Sequence, residues 1–311
     1  MNKELISVVI VNYNRCNDLR NALKSVLTQK VNDLDVIVVD NASTDNSILM
    51  LRSEYPEVRY KKLNENIGMD GYSIGFEMAK GEYIFQMDND SLMPDENVLS
   101  EVVRRFSEGP SDLAVVATRV EEYREGDSIE SHRSKNHDIG PINTGGFHSG
   151  GVGFKRNMLD KAGYYNRDVF LYGSEAFLQM KILAAGYKIY YYPEILMLHK
   201  SSGVARSALS TFYKVRNRYW FMRTYLTKPQ QKKLMPSLIV HDLLYGIYTF
   251  SLKSVLKGIR NGMGPLPPSL SDCIFSNNQK FQQKVRDFIS YFGWCGILQR
   301  LGRLNGKLNM H

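Results

Sequence analysis

The 311-residue sequence predicts an α/β fold: a mixed, mostly parallel sheet with helices on both faces, followed by basic amphipathic helices. Three observations carry this expectation. Apolar, β-branched runs alternate with helix-like segments through the first hundred residues, and continuous apolar strands joined by helical crossovers form parallel sheets buried on both sides. Four successive strands end in polar residues, namely Asn12-Tyr13-Asn14, Asp40-Asn41, Asn66-Ile67-Gly68 and Asp88-Asn89-Asp90. Charge divides the chain: residues 1–199 hold 22 Lys and Arg against 29 Asp and Glu, and residues 200–311 hold 18 against 3. An acidic front and a basic, aromatic-rich tail imply two jobs.

Val8–Val11 is the first strand, and the next segment reads as a helix with Leu19, Ala22, Leu23, Val26 and Leu27 on one face and Asn17 as its cap. Asp35–Val39 is a second strand, closed by a turn over Asp40–Asp45 that also starts the next helix. Val58–Leu63 and Tyr83–Met87 are the third and fourth, separated by the Asn64–Gly68 turn and a helix reaching Ala79. A helix over Val98–Phe106 and a strand over Ala114–Val120 precede a polar loop from Glu121 to Gly146. Glycines are dense from Thr144 to Gly153, which permits close backbone approach to a ligand, and His148 is a candidate for lining an acceptor pocket there. Ser174 suits the cap of a helix, and Glu175 falls in its first turn, where the helix dipole favours negative charge. Tyr187–Tyr192 is a strand that Pro193 breaks, and Ile195–Leu198 leads to His199.

Open α/β sheets bind ligands beyond the carboxyl ends of their strands. Here those ends carry amides and carboxylates suited to a nucleoside and a metal-bound diphosphate, which makes Asn12, Tyr13, Asn14, Asp40, Asn66, Gly68 and Asp88 candidate donor contacts. No Gly-x-Gly-x-x-Gly follows the first strand and no Gly-x-x-x-x-Gly-Lys loop exists. The phosphates then need a cation or side chains to neutralise them. Asp88 and Asp90, two apart at a strand end, point the same way and can hold Mg²⁺ or Mn²⁺, with the His199 imidazole completing the site. Glu175 is the candidate proton acceptor for a hydroxyl nucleophile.

Cys16, Cys273 and Cys295 have no paired spacing, so neither a disulfide framework nor a zinc site is expected. The amino terminus enters a strand without a secretory pattern, and the apolar segment Leu238–Leu256 carries His241, Asp242 and Lys253, unlike a membrane span. The tail reads as helices over Thr211–Leu226, Pro236–Arg260 and Gln279–Arg303, mixing cations with apolar and aromatic faces. An anionic bilayer surface fits them better than nucleic acid, and packing against the front half is the alternative. A cytoplasmic protein, peripheral on the inner face of the cell membrane, is the resulting expectation; oligomeric state is open.

The order of these motifs resembles the family 2 inverting glycosyltransferases of GT-A fold, particularly the bacterial rhamnosyltransferase-like branch that builds surface polysaccharides. The resemblance runs from Leu5 to Leu226, through Val9–Arg15, Val38–Asp45, Asn64–Gly68, Ala79–Ile84 and Asp88-Asn89-Asp90, the last standing where the family has its metal-binding Asp-x-Asp. It implies base recognition by Asp40, with Asn12, Tyr13 and Asn66 near the nucleoside. Asp88 would contact ribose or metal, and Asp90 and His199 would ligate the metal. Glu175 stands at the family's general base, although the usual Glu-Asp pair reads Ser174-Glu175 and Phe177 replaces a common Asp. The implied organisation is a catalytic domain over 1–205, with a nucleotide-sugar half at 1–95 and an acceptor half at 96–205, then a helical region over 206–311. The implied reaction moves a sugar from a nucleotide-diphosphate donor to a hydroxyl of a glycan acceptor, lipid-linked in the surface-polysaccharide setting. A sugar nucleotidyltransferase and a non-catalytic assembly subunit of the same fold are the competing readings.

Overall fold

The computed structural model describes residues 6–124, 126–128, 130, 132, 142–143, 146–200, 207–271 and 285. It divides into two compact units: Met1–Arg167 with Lys181–Ser202, and Asp168–Met180 with Gly203–His311.

In the first unit, the described strands are β1 (Ile6–Asn12), β2 (Leu34–Asp40), β3 (Arg59–Lys62), β4 (Tyr83–Asp88), β5 (Ser91–Leu92), β6 (Leu113–Tyr123), β7 (Ile142–Asn143), β8 (Val152–Lys155) and β9 (Lys188–Lys200). They form one sheet in the order β3-β2-β1-β4-β8-β6-β9-β5, with β7 also paired to β9. The first four strands are mutually parallel, β8 runs antiparallel between β4 and β6, and β5 runs antiparallel to β9. The helices are α1 (Cys16–Leu27), α2 (Ser47–Glu54), α3 (Gly71–Met78), α4 (Val98–Glu108), α5 (Arg156–Ala162) and α6 (Ser174–Ala184), the last crossing into the second unit.

Period-two alternation sorts the strand residues. Ile6, Val8 and Ile10 of β1 join Val36 and Val38 of β2 in one core with residues of α1, α2 and α4. On the opposite face α3 lies directly on β1: a Cβ added at Gly75 would stand 2.2 Å from Val9 Cγ1. Gly75→Ala is therefore expected to destabilise the protein by about 1–3 kcal/mol through overpacking, read as a lower denaturation midpoint. Val9→Ala should restore part of the loss.

Two local expectations change. Asn17 does not cap α1, which begins at Cys16; the Cys16 N–H is held at 2.9 Å by Asp45 Oδ2 from the turn after β2, while Asn17 Oδ1 accepts from Arg20. Pro193 does not end a strand either. β9 runs through it, and the register against β6 shifts so that Thr118 faces Tyr192 while Arg119 faces Leu196. The extra residues leave the ladder as a bulge, which is how a strand accommodates a residue without an N–H.

The second unit contains α7 (Ala208–Tyr225), α8 (Lys228–Tyr248) and α9 (Leu252–Met263). The single helix expected over 236–260 is two. A capping box between Thr227 and Gln230 starts the first of them well before Pro236, and residues 249–251 break the chain. Gly258 and Gly262, one turn apart, let α9 lie close against α7, since a Cβ at either would fall 2.8 Å from Val215 and 2.6 Å from Tyr219 respectively. The helix expected over 279–303 lies outside the described residues.

Candidate active site

β4 ends at Asp88, the chain turns through Asn89-Asp90, and β5 then pairs with β9 so that Ser91 lies opposite His199. That antiparallel pairing brings together three residues distant in sequence: oxygens of Asp88 and Asp90 and a nitrogen of His199 all lie within 4.8 Å of one another. His199 Nε2 is 3.2 Å from Asp90 Oδ1 and 3.5 Å from Asp88 Oδ2. Burial alone would lower the His199 pKa, but hydrogen bonds and charge from the two carboxylates outweigh it and push it up to about 10. Burial likewise raises Asp88, and the opposing hydrogen bond and charge of His199 win, leaving that carboxyl below its ordinary value. The cluster thus concentrates negative charge strongly enough to keep a proton on an imidazole.

Other residues finish this centre. Tyr72 Oη lies 2.8 Å from Asp88 Oδ1, and Ser149 Oγ donates to Asp88 Oδ2 at 3.0 Å. Arg15 Nη1 pairs with Asp90 Oδ2 at 2.7 Å and also reaches Asp18, which Lys200 holds at 2.9 Å. The His148 ring stands edge-on to His199 with centroids 5.6 Å apart. The glycine-rich stretch therefore borders the acidic cluster, through His148 and Ser149. Tyr72 and Arg15 are the residues that sequence reasoning missed: Tyr72 sits among apolar helix residues, and Arg15 closes the Val9–Arg15 stretch with no spacing that ties it to Asp90.

Two oxygens and one imidazole nitrogen, with Asp88 also braced by Tyr72 and Ser149, form a donor set that fits a small divalent cation. A cation ligated by His199 has to displace its proton.

The remaining strand ends form a second cluster. Asn12 is fully enclosed: its amide donates to Asp40 Oδ1 (3.2 Å) and Ser47 Oγ (2.9 Å), and its oxygen accepts from Asn89 (2.8 Å). Asp40 is equally enclosed and also accepts from the Ser43 N–H at 2.9 Å. In this conformation both hold the turns together. Asn14, in the left-handed region at φ 51°, accepts from the Thr44 N–H at 2.7 Å and so joins the turns after β1 and β2. Asn66 accepts from the N–H of Gly68, whose φ of 63° admits glycine readily, and Asn41 donates to the Gly68 carbonyl. Tyr13 is 46% exposed at the outer edge of this group.

Glu175 belongs to the second unit, in the first turn of α6. The turn before it passes through Tyr172 (φ 58°) and Gly173 (φ 84°), and the Ser174 hydroxyl donates to the Val169 carbonyl. Asn217 of α7, 2% exposed, spends its amide on the carbonyls of Leu171 (2.6 Å) and Tyr172 (2.8 Å), and its oxygen accepts from Arg216. Arg216 also donates to the Asp168 carbonyl and stacks 4.0 Å from the Trp220 ring centre. Of this helix's residues, expected at a membrane, Arg216 and Asn217 hold the loop that carries Glu175, while Arg218 pairs with Asp242 and Arg223 donates to the Gly262 carbonyl. Phe177, where an acid would have been usual, is buried against Phe221 and Tyr225.

The profile of the family described as "Glycosyl transferase family 2" matches residues 7–163, half of the chain and the part that bears Asp88 and Asp90. The chain belongs to glycosyl transferase family 2. This family assignment accords with its relatives. Poly(ribitol-phosphate) beta-N-acetylglucosaminyltransferase TarP of Staphylococcus aureus is 31% identical over 116 residues, 35% of each chain. The matches to the first curated relatives span only 28–38% of those proteins' own length. Among solved structures, the mannosyltransferase PcManGT of Pyrobaculum calidifontis, in complex with GDP-Man and Mn²⁺, superposes with a TM-score of 0.56 at 16% identity, covering 92% of this chain and 85% of that one. GalNAc-T7 with UDP, GalNAc and Mn²⁺ gives a TM-score of 0.58 at 17% identity, over 86% and 59%. The fold is that of the GT-A glycosyltransferases.

Proposed function

We propose that this family 2 protein is a metal-dependent, inverting glycosyltransferase that moves a hexosyl or rhamnosyl group from a nucleotide-diphosphate donor to a glycan hydroxyl. The observation that carries the reading is the convergence of Asp88, Asp90 and His199 at the carboxyl edge of the sheet. A bound Mg²⁺ or Mn²⁺ there would neutralise the charge that develops on the departing diphosphate. Asp90 and His199 would hold that cation. Asp88, oriented by Tyr72 and Ser149, would share in it or accept from the ribose hydroxyls. Tyr13 and Asn66 border the nucleoside. Asp40 recognises the base by exchanging its 3.2 Å bond to Asn12 for one to a base N–H, while Asn12, Asn14 and Gly68 keep the turns in register. Glu175 takes the proton of the acceptor hydroxyl as that oxygen attacks the anomeric carbon, giving inversion in a single displacement.

The names of PcManGT and GalNAc-T7, both recorded with Mn²⁺ and a nucleotide or nucleotide sugar, favour Mn²⁺, as does the imidazole in the donor set. TarP's name, an N-acetylglucosaminyltransferase acting on poly(ribitol-phosphate), favours a polymeric acceptor; a role in bacterial surface polysaccharide synthesis, with a lipid-linked acceptor at the inner face of the cell membrane, is part of the same proposal. We retain 1–205 as the catalytic region and 206–311 as the helical one. A screen of nucleotide sugars by thermal shift tests the reading. One donor class should raise the melting temperature with Mn²⁺ and not with EDTA, because a ligand bound only by the folded state stabilises it by mass action. Absence of any metal-dependent shift across UDP-, GDP- and dTDP-sugars would refute it.

A further inference from the structure

Among the described residues of the second unit, apolar exposure gathers where α8 ends and α9 begins. Val240, Leu244, Ile247 and Tyr248 are 52%, 59%, 60% and 83% exposed. Their spacing places them on one face of α8. At the bend, Phe250 is 99% exposed, and Leu252 and Leu256 continue the surface onto α9. No described helix is long and apolar enough to cross a membrane.

Among the described residues, none gives Phe250 a packing role. Its backbone sits at φ 53°, a left-handed position that glycine or asparagine occupies at lower cost, and its ring packs on no described side chain. The bend itself is held by backbone bonds, Thr249 N–H to the Tyr245 carbonyl (2.9 Å) and Ser251 N–H to the Gly246 carbonyl (2.8 Å). The charge beside the bend is positive: Lys253 and Lys257 lie in the first turns of α9, and the one acid of residues 228–263, Asp242, is buried and paired with Arg218. Exposed Lys253 and Lys257 alternate with Leu252 and Leu256 on α9. An apolar tip with a basic rim matches the interface of an anionic bilayer, where rings enter the headgroup boundary and lysines meet lipid phosphates.

We propose that the α8–α9 elbow is the surface by which this protein docks on anionic membrane, with Phe250 and Tyr248 inserted and Lys253 and Lys257 at the headgroups. This names the part of the tail responsible for the membrane association in the proposed function, and rests on that reading. It also replaces helices lying flat with a localised tip.

The test is flotation of the full chain with phosphatidylcholine vesicles with and without phosphatidylglycerol, for wild type and Phe250→Gly. Wild type should float only with the anionic vesicles and lose binding at high salt. Phe250→Gly should melt no lower than wild type, because the substitution relieves the backbone, yet partition about tenfold less. Tyr248→Ala should weaken flotation similarly. Equal flotation of wild type and Phe250→Gly would overturn the proposal. So would wild-type self-association, by sedimentation velocity, that Phe250→Gly abolishes, since a second copy would then be the occupant. Donor binding measured on the same preparations separates the two readings: donor binding without flotation removes the elbow alone, and flotation without donor binding removes the transfer reaction alone.

Discussion

Glu175→Gln is expected to lower turnover by about a thousandfold while leaving donor affinity within about twofold, because it removes a proton acceptor and little else. The substitution keeps the size of the side chain, so loss of rate with intact donor binding isolates chemistry from folding. Glu175→Asp should retain the base but withdraw it by one methylene, and a misplacement of about 1 Å costs on the order of a hundredfold. Asn217→Ala supplies the control for position. Its amide anchors the carbonyls of Leu171 and Tyr172 just before Glu175, so its loss should lower kcat with little change in donor KM. A positioning role predicts that the pH–rate profile of Asn217→Ala keeps the wild-type shape. A Glu175→Gln protein that retains most of its rate would refute the assignment of the base.

Asp90→Asn is expected to weaken Mn²⁺ binding by about a hundredfold or more, measured by calorimetric titration, and to abolish the metal-dependent part of donor binding. Arg15→Ala should act in the opposite direction. Arg15 pairs with Asp90 at 2.7 Å, and removing a competing cation leaves the carboxylate freer for the metal. Opposite signs at two partners of one ion pair distinguish a metal site from a structural salt bridge, since a structural pair would lose stability from either side. His199 contributes a pH dependence. Its pKa is raised to about 10 in the folded protein, so coordination must release that proton and Mn²⁺ affinity should rise with pH across the neutral range. Equal affinity in wild type and Asp90→Asn would return the Asp88-Asn89-Asp90 segment to the status of a turn.

Much of this arrangement is legible in the amino-acid sequence. The apolar runs over Val8–Val11, Asp35–Val39 and Tyr83–Met87 are too short for helices and too continuous for solvent-facing strands, so parallel buried strands followed. The polar strand ends then had one edge to occupy. What eluded sequence reasoning were the long-range supports. Asp45 caps α1 across 29 residues, Tyr72 reaches Asp88 from the first turn of an apolar helix, and Asn217 holds a loop 45 residues earlier. None of these leaves a periodic trace, because each depends on which elements become neighbours. The same holds in the tail: Arg216 and Trp220 carry the composition of a membrane face, and packing decides that they stack on each other.

The amino-acid sequence by itself determined the strand and helix alternation, the family, and the acids at the strand ends, because burial periodicity and turn chemistry are local properties. Only the tertiary structure decided that β5 doubles back on β9 to bring His199 against Asp88 and Asp90. It alone turned Asn12 and Asp40 inward upon each other. Such juxtapositions follow from strand order and register, which arise from the packing of the whole sheet rather than from any one segment of it.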